Sequence, residues 1–382
     1  MDVTYAINAR LGGGGIGNTA LNAVLGPERA GCLKRVICSS NAQAAILPRQ
    51  VQSLGMLGRL IKRVVFLDKS SRLNDWADPL FDRWASAVLE PSTILHCWND
   101  LSHTLARGNA LGALTVVECS MPHPDLLAEI LRAEAARWGV VPTDLPSPRR
   151  LRRYRREFAT ARFITVPSEF NRQSHLARGI PAHRLRVVPY GVDTQRFRPP
   201  PEPIGDHSFR ILFVGTVSLR KGAPNVLEAW RRLGWRDAEL WLVGNIAPEM
   251  SSLIDRWRSL PGVRFIGHHR NVVEIYHQAD VFVFPSLGEG SALVTYEAMA
   301  CGLPVIATEN AGSLARPDEE GYTVPPADAD ALADAIDRMR AQPQCRVEMG
   351  RNARRRIEPY TWQSYGDRLV QTYHELLRER AA

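Results

Sequence analysis

At 382 residues the chain exceeds one ordinary compact domain and suits two, each able to bury its own core. Hydrophobic residues make up 45% and charged residues 23%, which excludes a disordered chain. No run approaches the roughly 18–20 continuous apolar residues of a membrane span, and the net charge of +8 points to an anionic partner. The start, MDVTYAINARLGGGG, lacks the basic-then-apolar order of a secretion signal. Six cysteines lie far apart with no C-x-x-C pair, so a cytoplasmic chain with reduced, mostly buried thiols is expected.

Short apolar, β-branched runs alternate with segments of helical period. In chain order, VTYAIN, KRVICSS, RVVFLD, TILHCW, ALTVVEC, FITVPS and RVVPYG are the expected strands of a first domain. RILFVG, AELWLVG, VRFIGH, DVFVFPS, LPVIAT and GYTV are those of a second. Runs buried on both faces and separated by helices indicate an α/β fold of two Rossmann-like, doubly wound parallel-sheet domains. The divide falls at FRPPPEPIGDHS, residues 197–208, where four prolines and a glycine stop regular structure. The expected domains are therefore 1–198 and 199–361. Residues 362–382 form a closing helix on which Tyr365, Leu369, Tyr373, Leu376 and Leu377 follow the helical period.

Two such domains place the ends of both sheets across a cleft, the usual ligand side of open α/β sheets. The first candidate in chain order is the glycine loop, where Gly12, Gly14 and Gly17 satisfy G-x-G-x-x-G after a strand. A dinucleotide site would need an acid at the end of the second strand, and RVICSSN offers none. His123, in ECSMPHPD, is presented rigidly between two prolines at a strand end. It either hydrogen-bonds a ligand hydroxyl or developing oxyanion or serves the turn alone, with Glu118 and Asp125 as lesser alternatives. Residues Arg149–Arg156 carry six arginines in eight positions, of which 149, 152, 153 and 156 share a helical face. That face is either solvated or a contact for anionic lipid head groups or a phosphorylated acceptor. No aromatic-interleaved or recognition-helix signature accompanies it, so nucleic acid is not an expected partner.

In the second domain, Arg220 and Lys221 of FVGTVSLRKG follow a strand on the ligand side, where two cations either neutralise a diphosphate leaving group or form a solvated basic turn before a helix. The segment PSLGEGSALVTYEAMACGLPVIAT, residues 285–308, reads as strand, glycine-bearing turn and helix, an order that aims free N–H groups at an anion. Small residues at Gly290, Ser291 and Ala292 let a diphosphate approach the backbone. Glu297, one to two turns into the helix, either accepts ribose hydroxyls or is a solvated helix residue, and Glu289 either faces the group beyond the phosphates or caps the helix. Asp328 and Asp330 have D-x-D spacing, but PPADADALADAI reads as a helix cap. No clustered His/Cys ligand set appears, so no metal is expected.

The eight-residue separation of Glu289 and Glu297 resembles the E-x7-E motif of retaining glycosyltransferases of the GT-B fold, family GT4. VPSEFNRQSHLARGIPAHRLRVVPYGVDTQRFRP, ILFVGTVSLRKG and EAMACGLPVIAT resemble the same family, over about residues 160–340. The resemblance implies a GT-B architecture whose C-terminal helix returns toward the N-domain. It implies a metal-independent, retaining transfer, without a cofactor, from a UDP- or GDP-type sugar to a glycan or lipid-linked acceptor. Catalytic roles would fall on Glu289, His123, Lys221 and Arg220, with His123 facing the donor sugar. Donor binding would fall on Glu297, Gly290, Ser291, Ala292, Leu293, Thr216, Gly14 and Gly15. Thr216 stands where relatives commonly carry an arginine, and Arg220 could supply that charge by another approach. Peripheral membrane contact would run through Arg149–Arg156, and base selection through loops such as Gly267–Arg270. The rival readings are a nucleotide-sugar epimerase, a sugar phosphorylase, or a nucleotide-sugar binder without turnover.

Overall fold

A computed structural model describes residues 1–67, 73–202, 207–269 and 271–381. The first sheet contains β1 (Val3–Leu11), β2 (Leu33–Asn41), β3 (Val51–Ser53), β4 (Ile94–Trp98), β5 (Leu114–Glu118), β6 (Phe163–Val166) and β7 (Leu185–Val187). Around it lie α1 (Ile16–Arg29), α2 (Gly55–Leu67), α3 (Asn74–Ala87), α4 (Ser102–Ala110), α5 (Pro124–Trp138), α6 (Pro148–Thr160) and α7 (Glu169–Leu176). The second sheet contains β8 (Phe209–Val214), β9 (Ala238–Val243), β10 (Val263–Gly267), β11 (Val281–Phe284), β12 (Val305–Thr308) and β13 (Gly321–Val324). Its helices are α8 (Ala223–Leu233), α9 (Val272–His277), α10 (Leu293–Ala300), α11 (Ala329–Ala341) and α12 (Pro343–Ile357), and α13 (Trp362–Ala381) closes the chain.

Among the described residues the strand orders are β3-β2-β1-β4-β5-β6-β7 and β10-β9-β8-β11-β12-β13. Every pairing is parallel. Strands β4, β5, β11 and β12 are buried at every position, as continuous apolar runs covered by helices on both faces require. In both sheets the order reverses beside the first strand, so the ends of β1 and β4, and of β8 and β11, flank the crevice where ligands of such sheets bind.

One expected strand is wrong. In RVVFLD, residues 63–67 belong to helix α2, and Asp68 lies outside the described residues; the third strand is Val51–Ser53 instead. A three-residue, half-buried edge strand carries almost no periodic signal, whereas the apolar residues of α2 recur at helical spacing. Gly58 decides the packing: a Cβ there would lie 1.9 Å from the Ser39 carbonyl oxygen, so the helix backbone rests directly on the end of β2.

The expected linker begins in an extended crossover, and residues 203–206 of it lie outside the described residues. The first crossover meets the second at a bridge between Val192 and Thr361, where the Val192 N–H donates to the Tyr360 carbonyl at 2.9 Å. Beyond that crossing α13 returns to the first domain. It lies against α1 at a glycine pair, where a Cβ on Gly26 would sit 2.3 Å from the Gly366 carbonyl oxygen. Tyr365, Leu369, Tyr373 and Leu376 are buried there, the stripe that the sequence periodicity marks.

Candidate active site

The turn that follows β8 and the loop that follows β11 meet at one point. The Arg220 carbonyl accepts from Leu287 N–H at 2.8 Å and from the Ser286 hydroxyl at 2.9 Å, tying the two loops together. The Asn310 amide donates to the Leu287 carbonyl, while the Glu289 N–H donates to the Asn310 carbonyl, both at 2.8 Å. This frame turns the Glu289 carboxylate inward, where it is 7% exposed. Lys221 Nζ reaches its Oε1 at 2.6 Å, and the Arg220 guanidinium pairs with the same oxygen. Burial would push the Glu289 carboxyl up, but Lys221 and Arg220 outweigh it and hold the group below the usual range. Burial also pulls the Lys221 ammonium down, against the pull of Glu289. Arg220 donates in addition to Asp144 of the first domain, so one guanidinium spans the cleft. Thr216 stands exposed on the turn between β8 and this cluster.

Helix α10 begins at Leu293, with Ala292 as its cap residue, and its first N–H groups have no acceptor within the helix. Glu297 sits in its second turn between the fully buried Tyr296 and Ala298. Its carboxylate accepts from the Tyr276 hydroxyl at 2.9 Å, and burial raises its pKa to about 7. Tyr276 was not among the sequence candidates; it lies on α9, and only packing brings it to Glu297.

The small residues before α10 also pack against their neighbours. A Cβ on Gly290 would lie 1.9 Å from the Ser120 carbonyl oxygen of the first domain, and the Gly290 carbonyl accepts from the Ser168 hydroxyl. The Ser291 hydroxyl faces inward, 2.9 Å from the Tyr296 hydroxyl and 3.0 Å from the Gly312 carbonyl. The smallness of Gly290 thus admits the neighbouring domain, and Ser291 braces the loop. Leu293 is half-buried at the helix start.

Across the cleft, the first domain encloses a cavity of about 510 Å³ lined by Asn8, Asp75, Asp78, Trp98, Asp100 and Asp144, among others. Asp100 takes a left-handed backbone with φ 74°, uncommon for a non-glycine residue. Its carboxylate holds that geometry through Arg150 at 2.6 Å and Arg153 at 2.7 Å, and its N–H donates to buried Glu157 at 3.1 Å. Asp75 accepts from Ser147 at 2.8 Å and Asp78 from Asn8 at 2.8 Å. The WND triplet at the carboxyl end of β4 was the available sequence signal for this acid.

The arginine run therefore does not form one solvated face. Arg150 and Arg153 turn into the acidic cavity, Arg155 pairs with Asp125 at 2.7 Å, and Arg149 stacks over Trp76 at 4.7 Å. Arg152 and Arg156 are exposed.

His123 caps α5: its Nδ1 accepts from the Asp125 N–H at 3.3 Å, which leaves the ring proton on Nε2. The ring packs between Phe158 and His175, and burial brings its pKa down to about 4, so it is neutral. Its neighbours Pro122 and Pro124 line the cavity. Glu118 lies inside the first domain, accepting from the Tyr5 and Tyr365 hydroxyls at 2.8 and 2.9 Å. In the glycine loop, Gly17 lets α1 approach the Arg10 carbonyl, while Gly14 and Gly15, both at positive φ, are open to solvent. Ile16 beside them lines the cavity. Asp328 caps α11, accepting from the Asp330 and Ala331 N–H groups. Among the described residues no group of three or more His, Cys, Asp or Glu side chains could hold a metal ion.

Comparison with known proteins follows the same division. The model described as Glycosyltransferase Family 4 matches residues 13–196, and that described as Glycosyl transferases group 1 matches residues 208–342. The chain is 33% identical over 212 residues to the MMP alpha-(1->4)-mannosyltransferase of Mycolicibacterium hassiacum, covering 52% of this chain and 50% of that one. It is 31% identical over 221 residues to the D-inositol 3-phosphate glycosyltransferase of Paenarthrobacter aurescens, covering 52% and 53%. The chain thus spans about half the length of these curated relatives. Among solved structures, sucrose-phosphate synthase from Thermosynechococcus elongatus superposes with TM-score 0.66 at 20% identity over 99% of both chains. Anabaena Alr3699/HepE in complex with UDP does so with TM-score 0.68 at 16% identity, over 98% of this chain and 100% of that one. At such identities the likeness is one of fold, the GT-B arrangement of two facing Rossmann-like domains.

Proposed function

Since this chain belongs to the family 4 glycosyltransferases, we propose that it moves a hexose from a nucleoside diphosphate sugar onto a hydroxyl of a glycan or lipid-linked acceptor, without a metal ion and with retention at the anomeric carbon. The observation that carries this reading is the convergence of Glu289, Lys221 and Arg220 at one buried point, with Glu297 eight residues further along the same loop and helix.

A buried carboxylate paired with two cations is a resting arrangement that a diphosphate can enter by exchange. The incoming phosphates take over Lys221 and Arg220 and rest against the first N–H groups of α10. Glu297 accepts from the ribose hydroxyls. Glu289, released from the cations, turns to the hydroxyls of the sugar. The bond between the anomeric carbon and the diphosphate oxygen breaks while the acceptor oxygen bonds to that carbon from the same face. The acceptor's proton passes to the leaving phosphate oxygen. Charge grows on the diphosphate as it departs, and two cations in a water-poor cleft stabilise that charge far more than they would in bulk water. The acceptor occupies the first-domain cavity, whose carboxylates and Trp98 suit a polyhydroxyl ring.

A thermal-shift panel of UDP, GDP, ADP and their sugars, run without added metal, tests the reading, because a ligand bound to the native state raises the melting temperature. One base class is expected to stabilise the wild type, and Glu297→Ala is expected to lose that shift. Indifference of the wild type to every nucleotide, or an unchanged shift in the variant, overturns the assignment.

A further inference from the structure

We propose that α2 and α3 form a docking face for an anionic lipid bilayer. At about 100° per residue, Met56, Leu57, Leu60 and Val64 fall within a single stripe of α2, opposite Gly58, which rests on β2. On α3, Trp76 and Leu80 share one side, while Asp75, Asp78 and Asp82 occupy the other. These six large apolar side chains are between 54% and 72% exposed. Helix α3 thus buries Phe81 and Ala85 together with Asp78 and Asp82 and leaves Trp76 and Leu80 facing out.

Six large apolar side chains left exposed on two helices that touch one another mark an interaction surface. Arg59 and Arg63 flank the stripe on α2, Arg83 follows Leu80 on α3, and Arg149 lies over the Trp76 ring. All four are exposed. Apolar side chains inserted at the acyl boundary, with arginines beside them reaching the phosphates, match an anionic leaflet. This centres the expected membrane contact on α2 and α3 and keeps only Arg149 of the arginine helix in it, while Arg150 and Arg153 serve the cavity instead.

The cavity lies on the other side of α3, so docking would bring lipid within about 10 Å of its wall, one helix diameter. That consequence, delivery of a lipid-linked acceptor, rests on the proposed function; the docking itself does not.

Co-sedimentation with vesicles of phosphatidylcholine, alone or mixed with phosphatidylglycerol, tests the proposal. The full chain is expected to pellet with the mixed vesicles and to dissociate as salt rises. Leu57→Glu combined with Trp76→Glu, and separately Arg59→Gln combined with Arg63→Gln, are each expected to weaken binding by about tenfold or more at an unchanged melting temperature. No binding by the wild type, or equal binding by both folded double variants, overturns the proposal. So does concentration-dependent self-association without lipid that Leu57→Glu with Trp76→Glu abolishes, which would give the face to a second copy of this chain. The nucleotide shift, measured on the same preparations, reports on the donor site separately.

Discussion

At the scale of single residues, the site is a set of charges awaiting exchange. Glu289 pairs with Lys221 and Arg220, so on the proposed reading it competes with the diphosphate for them. Glu289→Gln should therefore tighten nucleoside diphosphate binding by about tenfold in a calorimetric titration, while sugar transfer falls at least about a hundredfold. Lys221→Ala should weaken the same binding by about 2–3 kcal/mol. Glu297 has the opposite problem, since burial raises its pKa to about 7, whereas the proposed role of accepting two ribose hydroxyls needs it ionised. Nucleotide affinity should therefore fall as pH drops through about 7, and that pH dependence should vanish in Glu297→Gln. The positions of both glutamates were legible because the pattern is local, an acid before a helix and an acid within it. Tyr276, Asp144 and Asp100 were not, because what each does depends on a partner far away in sequence.

At the scale of elements, close backbone approach recurs. Helices α1 and α13 cross where Gly26 meets Gly366. Alanine in place of glycine inside a helix ordinarily stabilises by about 1 kcal/mol. Gly26→Ala should reverse that sign and destabilise by about 1–3 kcal/mol in urea unfolding, because its Cβ would press on the Gly366 carbonyl. The same reasoning accounts for α2, whose residues read as a strand by composition. Its Gly58 and outward stripe make sense only once β2 lies beneath it.

At the scale of the whole molecule, Glu118 joins the first sheet to the returning C-terminal helix through Tyr5 and Tyr365, with His96 at 3.5 Å. Burial lifts its pKa from 4.5 to about 7. Between those values the folded chain holds a proton that the unfolded chain has released, so this group's contribution to stability falls as pH rises and is flat above about 7. The buried histidines His96, His123 and His175, all driven down by burial, act with the opposite sign below about 6.5. The useful measurement is therefore the difference in unfolding free energy between wild type and Glu118→Gln. That difference should shift against the wild type by about 2–3 kcal/mol between pH 5 and pH 8. A pH-independent difference would remove Glu118 as the titrating group.

Sequence alone was enough for two parallel-sheet domains and the returning helical stripe, since periodicity and turn residues act over a few residues. Only the folded chain decided which side of each helix faces protein, where six arginines divide, and why Gly290 must be small. Those outcomes depend on contacts between segments far apart in the chain, such as Gly290 with Ser120 and Arg220 with Asp144 across one cleft, and no local pattern records which surfaces will meet.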